Sequence, residues 1–299
     1  MIEGATRREI VRNDLRFTAW EMGEGPLVLL LHGFPDSALT WRHTLPALAA
    51  AGYRPVAVTL RGYEPASQLV PKADQAYYRI AELAKDVTGW IDAIGAEKGH
   101  LIGHDWGATI AFAAARFAPE RIASLSMLAV PHPARLGEAI ASNKAQRKAS
   151  SYILFFQLKG MAELLIKARN FTYLEKLWRR WSPGWDIPAD DLAAMRETFR
   201  QPNVLGAALS YYRAATNQSD TESLGLISGE VNVPTLGLHG SQDGCILADA
   251  FRASMTAQDF PAGLICTEIA NAGHFLHQEQ PDVVNDALIA FLKAHGSYR

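Results

Sequence analysis

The sequence predicts an α/β protein with a mostly parallel, twisted sheet, helices on both faces and an inserted all-helical segment. Short apolar runs such as Leu27–Leu31 alternate with amphipathic segments such as Tyr77–Ile94, which is the pattern of a parallel sheet covered by helices. From about residue 135 to residue 224 this alternation stops, and only segments with helical periodicity follow. The alternation returns at Thr235–Leu238. We therefore expect one α/β unit that is interrupted by helices.

The predicted elements follow in chain order. The expected strands are Ile10–Val11, Leu15–Glu21, Leu27–Leu31, Pro55–Leu60, His100–Ile102, Ile122–Val130, Thr235–Leu238 and Leu264–Ile269. The expected helices are Trp41–Ala51, Tyr77–Ile94, Trp106–Phe117, Ser150–Lys159, Met161–Ala168, Thr172–Arg180, Asp190–Phe199, Asn203–Ala214 and Val283–Ala294. This pattern predicts a core from residues 1–134 and 225–299 and a helical cap from residues 135–224. The cap would cover the carboxyl edge of the sheet, where open α/β sheets bind ligands.

Composition limits the classes of function. Hydrophobic residues make up 48% of the 299 residues and charged residues 20%, with a formal net charge of −2. This balance gives no reason to expect a nucleic-acid partner or a membrane partner. The two cysteines, Cys245 and Cys266, are too few for a disulfide framework, and no residues have metal-site or phosphate-loop spacing. The first residues contain no apolar stretch of the kind found in signal peptides. We expect a cytoplasmic protein without metal or cofactor, either a monomer or a homodimer.

The most informative segment is Gly103-His104-Asp105-Trp106-Gly107, which lies between a predicted strand and a predicted helix. A G-x-nucleophile-x-G sequence in this context is the elbow on which a sharp turn exposes a nucleophile, and here the nucleophile would be Asp105. The alternative is an ordinary turn in which Asp105 caps the helix, because Asp is favoured at that position.

The order of later polar residues favours the elbow. In proteins that carry such a nucleophile elbow, an acid and then a histidine follow the nucleophile along the chain. Asp243 follows the predicted strand Thr235–Leu238, and His274 follows the last predicted strand. The loop after the third strand would supply the backbone N–H of Phe34 to an oxyanion hole, and Trp106 would supply the second N–H. The sequence thus predicts a catalytic triad of Asp105, His274 and Asp243.

Taken together, these motifs resemble the epoxide hydrolase and haloalkane dehalogenase branch of the α/β-hydrolase fold. The resemblance spans the whole chain and rests on His32-Gly33-Phe34-Pro35, the elbow, Asp243 and Gly273-His274-Phe275. It implies a cis peptide bond before Pro35. The sequence departs from the family pattern at Glu64-Pro65, which replaces the glycine-containing loop of relatives and would reshape the mouth of the pocket.

An aspartate nucleophile indicates attack on a saturated carbon. A serine would form an ether there, which water does not readily cleave, whereas a carboxylate forms an ester that can be hydrolysed. An aspartate has a reference pKa of about 3.9, so it needs no base for its attack. The histidine would then act only in the second step, by activating the water that cleaves the ester, and Asp243 would orient it.

The leaving group separates the two reactions of this branch. An epoxide leaves as a basic alkoxide and needs a hydroxyl donor, for which tyrosine is suited. The resemblance assigns that role to Tyr152, in a Y-x-x-x-F-Q pattern, and to Tyr212, in a Y-Y-R pattern. The same resemblance suggests a substrate pocket that includes His32, Pro35, Phe155, Phe156 and Gln157.

We therefore expect hydrolysis of a small apolar epoxide to a vicinal diol, with water as the second substrate. Two alternatives stay open at this stage. One is a haloalkane dehalogenase with the same triad, although Phe34 stands where dehalogenases tend to carry Asn or Trp. The other is a protein of the same fold that binds a small molecule without converting it.

Overall fold

One sheet organises the structure, a computed structural model that describes residues 2–68 and 75–295. Its strands are β1 (Thr6–Arg12), β2 (Leu15–Glu21), β3 (Leu27–Leu31), β4 (Arg54–Val58), β5 (Gly99–His104), β6 (Ile122–Leu128), β7 (Thr235–Gly240) and β8 (Leu264–Ile269). They lie in the order β1-β2-β4-β3-β5-β6-β7-β8. Strand β2 is antiparallel to β1 and β4, and all other neighbours are parallel. The predicted α/β fold class is confirmed.

The helices fall into two groups along the chain. In order they are α1 (Thr44–Ala50), α2 (Ile80–Ile94), α3 (Trp106–Phe117), α4 (Pro133–Ser142), α5 (Lys144–Ala149), α6 (Tyr152–Phe156), α7 (Met161–Trp181), α8 (Ala189–Arg200), α9 (Val204–Ala215), α10 (Thr221–Ile227), α11 (Ala248–Ser254), α12 (Leu276–Glu279) and α13 (Pro281–His295). Helices α4 to α10 all lie between β6 and β7, and we call them the cap.

Both faces of the sheet are covered by apolar side chains. Helices α2 and α3 bury Trp90 and Phe112 in a cluster with side chains of one face, and Trp90 meets the ring of Phe17 on β2 edge-on at 5.1 Å. Helices α1 and α13 bury Leu45 and Phe291 in the cluster on the other face. All five residues of β3 are buried, which explains its unbroken apolar sequence.

Two buried hydrogen bonds attach the cap to loops of the core. The indole Nε1 of Trp178 on α7 donates to the carbonyl of Pro35 at 3.1 Å. The hydroxyl of Tyr211 on α9 donates to the carbonyl of Arg61 at 2.6 Å. The boundaries predicted for the cap, at residues 135 and 224, fall inside α4 and α10, and the division into domains stays a prediction.

The cap is also where the predicted helices differ most from the structure. The predicted helix Ser150–Lys159 is present but shorter, because only Tyr152–Phe156 is helical and a turn at Gly160, with φ 82°, precedes the next helix. Helices α4, α5 and α10 of the cap were not predicted. Helix α4 buries none of its residues fully.

A buried ion pair connects three separate parts of the core. The guanidinium of Arg61, in the loop after β4, donates through Nε and Nη2 to the two carboxylate oxygens of Asp86 on α2, both at 2.6 Å. Arg12, at the end of β1, also donates to Asp86 at 2.6 Å. The Asp86 side chain is buried, so removal of its charge would leave two cations without their partner.

We expect Asp86→Ala to lower the free energy of unfolding by about 3–5 kcal/mol. The matched control is Asp92→Ala on the same helix, whose ion pair with Arg121 is exposed at the carboxylate, and its expected cost is below about 1 kcal/mol. Urea unfolding of both variants measures the difference. Equal losses would show that the buried pair contributes no more than a surface pair.

Candidate active site

The predicted elbow has the strained backbone of an exposed nucleophile. Asp105 has φ 51° and ψ −119°, a conformation that is unfavourable for a residue with a side chain. A Cβ on Gly107 would lie 2.0 Å from the carbonyl oxygen of Leu31, so only glycine allows α3 to approach β3 this closely. The Asp105 side chain makes no capping hydrogen bond to α3. The alternative of a simple helix cap is therefore wrong.

The Asp105 carboxylate is held by the loop after β3. Its Oδ1 accepts a hydrogen bond from the backbone N–H of Phe34 at 2.7 Å. The peptide bond between Phe34 and Pro35 is cis, as the resemblance implied. Trp106 is the first residue of α3, so its N–H has no acceptor within the helix. Both predicted oxyanion donors therefore come from residues beside the carboxylate.

The imidazole of His274 lies between two carboxylates. Its Nε2 is 3.6 Å from Oδ2 of Asp105, and its Nδ1 is 2.9 Å from Oδ2 of Asp243. The other oxygen of Asp243 accepts the backbone N–H groups of Cys245 at 2.7 Å and Ile246 at 3.0 Å. Asp243 is thus fixed by its own loop and orients the ring of His274.

Electrostatics favours the charged form of this histidine. Burial of His274 opposes protonation, but the negative charge of Asp243, together with the hydrogen bonds and charge of Asp105, outweighs it. The result is a His274 pKa raised to about 10. In the free protein the imidazole is therefore protonated at neutral pH.

A cavity of about 680 Å³ opens beside Asp105. Its lining is mostly apolar, and helices α4, α9 and α10 form much of the wall. Asp105, Trp106, Tyr152 and Tyr212 all line it. The remaining lining residues are Ile80, Thr109, Val130, Pro133, Ala134, Leu136, Gly137, Ile140, Ser150, Ile153, Ala215, Thr216, Gln218, Leu224, Ile227, Ser228 and Ile246.

The two predicted cap tyrosines share this cavity, and their rings are 5.9 Å apart. The hydroxyl of Tyr152 is 3.5 Å from Sγ of Cys245. The buried hydroxyl of Tyr212 has no hydrogen-bond partner in the described part of the chain. Burial raises the pKa of both hydroxyls well above the usual value, and the nearby charge of Asp105 raises it further. Both phenols are therefore protonated donors.

The five predicted pocket residues are not among those that line this cavity, and their contact with substrate stays a prediction. His32 donates from Nδ1 to the carbonyl of Gly33 and accepts the N–H of Leu60 at Nε2, so it stabilises the loop. The other four, Pro35, Phe155, Phe156 and Gln157, do not line the cavity either. The ring of Phe156 packs behind it against Phe34, and Gln157 donates to the carbonyl of Tyr212.

Sequence analysis missed the outer wall of the cavity. Leu136 and Ile140 on α4 and Leu224 and Ile227 on α10 all line it. The only available signal was the spacing of these pairs at three and four residues, which places each pair on one helix face. Glu64, whose loop departs from the family pattern, accepts hydrogen bonds from the N–H and hydroxyl of Thr18 and does not line the cavity.

Residues 2–68 and 75–295 contain neither a metal-binding cluster nor a membrane-spanning helix. No group of three or more His, Cys, Asp or Glu residues in these ranges could hold a metal ion. No helix in the same ranges is long and apolar enough to cross a membrane.

Comparison with known proteins places this arrangement in a family. A family model described as the alpha/beta hydrolase fold matches residues 26–281. The chain belongs to the α/β-hydrolase family. This α/β hydrolase is 35% identical to "Epoxide hydrolase 4" of Mus musculus over 289 residues, covering 94% of this chain and 77% of that protein. It is 31% identical to "Epoxide hydrolase A" of Mycobacterium tuberculosis, covering 96% and 97%.

A solved structure of another protein that is named an epoxide hydrolase is also similar to this chain. The crystal structure of Bacillus megaterium epoxide hydrolase in complex with an inhibitor matches this α/β hydrolase with a TM-score of 0.84 and 28% identity, covering 96% of this chain and 100% of that one. The resemblance predicted from the motifs is confirmed, and the chain is a hydrolase. The alternative of a non-catalytic binding protein is set aside.

We expect Asp105→Asn to lower the pKa of His274, because it removes one of the two negative charges that raise it. The imidazole would then lose its proton at a lower pH than in the unmodified protein, as measured by the ¹⁵N shifts of the ring during a pH titration. The control is Asp36→Asn, because this buried carboxyl bonds to Ser37 and Gln278 and not to His274. A His274 pKa unchanged by Asp105→Asn would contradict the interaction.

Proposed function

We propose that this α/β hydrolase converts an apolar epoxide to a vicinal diol through a covalent ester on Asp105. The observation that carries the proposal is that the carboxylate of Asp105 and the hydroxyl-bearing rings of Tyr152 and Tyr212 line one apolar cavity. A carboxylate suits attack on carbon, and a protonated phenol suits donation to an alkoxide. Relatives that are named epoxide hydrolases support the same reaction.

In the first step, Asp105 would attack a ring carbon of the epoxide. Because Oδ1 is held by the N–H of Phe34, Oδ2 is the oxygen free to form the new bond to carbon. The carbon–oxygen bond of the ring breaks, and the leaving oxygen takes a proton from a tyrosine hydroxyl. Tyr212 is the better placed donor, since its hydroxyl forms no hydrogen bond of good geometry with the described residues that an epoxide oxygen would have to replace.

In the second step, His274 would activate water. Formation of the ester removes the negative charge of Asp105, so the pKa of His274 falls and the ring can release its proton, which balances the proton that the tyrosine phenolate takes back. The neutral imidazole takes a proton from water, and the hydroxide attacks the carboxyl carbon of the ester. The N–H groups of Phe34 and Trp106 would stabilise the oxyanion. Collapse of this intermediate breaks the ester bond, and the departing diol oxygen takes the proton that the His274 imidazolium had accepted from water.

The cavity is large enough for an apolar substrate bigger than the smallest epoxides. Its volume is in the range of sites for drug-sized ligands. Five residues of α4, from Pro133 to Ile140, line the cavity, together with Leu224 and Ile227 of α10. We propose that the apolar part of the epoxide extends from Asp105 toward α4 and α10.

A haloalkane dehalogenase with the same triad is the alternative reaction. A departing halide needs N–H donors and no proton. Trp106 lines the cavity and could provide one indole N–H. Phe34 provides no side-chain donor where dehalogenases would carry a second one. The two cap tyrosines have no role in halide release, so their substitution separates the reactions.

We expect His274→Ala to form the Asp105 ester and not to hydrolyse it, because only the second step needs the base. With a small aryl epoxide such as styrene oxide, the intact mass should increase by the mass of the whole epoxide, on the peptide that contains Asp105. The control is Asp105→Asn with His274→Ala, which has no nucleophilic carboxylate. In the unmodified enzyme, one turnover in H₂¹⁸O should place label in Asp105 and not in the diol. Label in the first diol formed would show direct attack by water.

We expect Tyr152→Phe with Tyr212→Phe to slow epoxide opening by about 10²–10⁴-fold, the range for loss of general acid catalysis. The rate of ester formation in a rapid-quench experiment measures this step. The control is Tyr211→Phe, which removes a hydroxyl that bonds to the Arg61 carbonyl and does not line the cavity. Ester formation at an unchanged rate in the double variant would contradict the assignment. Hydrolysis of a primary alkyl bromide by the same variant would favour the dehalogenase.

A further inference from the structure

A group of large apolar side chains is exposed on the outside of the cap. Leu154 is 74% exposed and Leu164 is 67% exposed, and Leu158, Met161 and Leu165 are also about half exposed. We call these five residues the leucine patch. They lie within twelve positions of the chain, on α6, on the start of α7 and on the turn between them. Contiguous exposed apolar surface of this kind marks interaction sites.

The leucine patch lies on the exposed side of α6 and α7. The opposite side of each helix packs against the protein or lines the cavity. On α6, Tyr152 and Ile153 line the cavity and Phe156 packs against Phe34, while Leu154 is exposed. On α7, Ala162 and Ile166 are buried. Met161, Leu164 and Leu165 follow the spacing of a single helix face and are exposed. The patch is therefore an apolar face without a partner in the described chain.

Exposed cations lie in the same segment of the chain as the leucine patch, on both sides of it in sequence. Residues 144–180 contain nine Lys or Arg and two Glu residues, which gives this segment a net charge of +7, although the whole chain carries −2. Both acids are only partly exposed and are paired, Glu163 with Arg213 and Glu175 with Arg196. The exposed charged residues of the segment are Lys144, Arg147, Lys148, Lys159, Lys167, Arg169, Lys176, Arg179 and Arg180. All of them are positive.

We propose that the leucine patch and its cations dock on an anionic lipid surface. Helices that combine exposed leucines with Lys and Arg bind the interface of anionic membranes, where the apolar side chains enter the lipid and the cations meet the headgroups. A second copy of this chain is disfavoured as the occupant. Two like patches would bring two segments of +7 together, and this repulsion opposes a symmetric contact.

Residues of the leucine patch are next to residues that line the cavity. Ile153 lines the cavity, and the next residue, Leu154, belongs to the patch. Arg147 donates to the carbonyl of Ile140, which lines the cavity from α4. Docking would therefore bring two walls of the cavity close to the lipid. Docking itself does not depend on the proposed reaction, because it can be measured without a substrate.

The test is co-sedimentation of the full chain with vesicles. We expect binding to phosphatidylcholine vesicles that contain phosphatidylglycerol and little binding to pure phosphatidylcholine vesicles. Binding should weaken when salt rises from about 0.05 M to about 0.5 M, because salt screens the cations. Equal binding to both kinds of vesicle, or binding to neither, would overturn the proposal.

Matched variants separate the patch from general surface effects. Leu154→Ser with Leu164→Ser and Leu165→Ser should weaken binding at least about tenfold through lost apolar burial. The control is Val11→Ser with Ile265→Ser and Val283→Ser, which changes three other exposed apolar residues and should leave binding unchanged. Lys159→Gln and Lys167→Gln should each weaken it about fivefold. Equal losses in the patch and control variants would overturn the proposal.

Oligomeric state provides an independent measurement. Sedimentation velocity should show the same mass for the unmodified chain and for the triple leucine variant. A dimer that dissociates in the leucine variant would show that the patch is an interface between two copies, and the lipid proposal would then be wrong.

Discussion

The close contact between the loop after β3 and the turn after β5 is the constraint on which the site depends. A Cβ on Gly33 would lie 2.3 Å from the Cβ of Asp105, so these two turns meet with no room for a side chain between them. This contact brings the N–H of Phe34 to the carboxylate and fixes which oxygen stays free. In the proposed reaction, this oxygen bonds to the substrate, so the positions of His274 and the two tyrosines matter relative to it.

The charge of Asp105 also connects the two steps of the proposed reaction. While it is ionised, it helps to keep His274 protonated and raises the pKa of the phenols of Tyr152 and Tyr212. The free enzyme thus holds proton donors and no competing base near the epoxide. Once the carboxylate becomes an ester, its charge is lost and the imidazole can become the base. The order of acid and base functions follows from one charge that the reaction itself removes.

The sequence indicated which three polar residues come together, because their positions depend on where strands end. Asp105, Asp243 and His274 each follow a strand that is visible as an apolar run, and parallel strands place their carboxyl ends at one edge. The cavity was harder to predict, because its wall depends on which side of each cap helix faces inward. Phe156 is only four residues from Tyr152 and yet packs behind the cavity. Similarly, nothing local showed that His277 is buried and bonded to Thr40.

The distribution of charge was also missed, because the net charge of the whole chain does not describe any one region. The net charge of −2 gave no reason to expect a membrane partner, but it is a sum over opposite regions. Residues 144–180 carry +7, which leaves −9 for the rest of the chain. Electrostatic attraction acts over about a Debye length, roughly 8–10 Å in physiological salt, so a partner at the cap experiences the local charge and not the total. Such a polarised molecule would approach an anionic surface with the cap first, the same part of the chain that exposes its leucines.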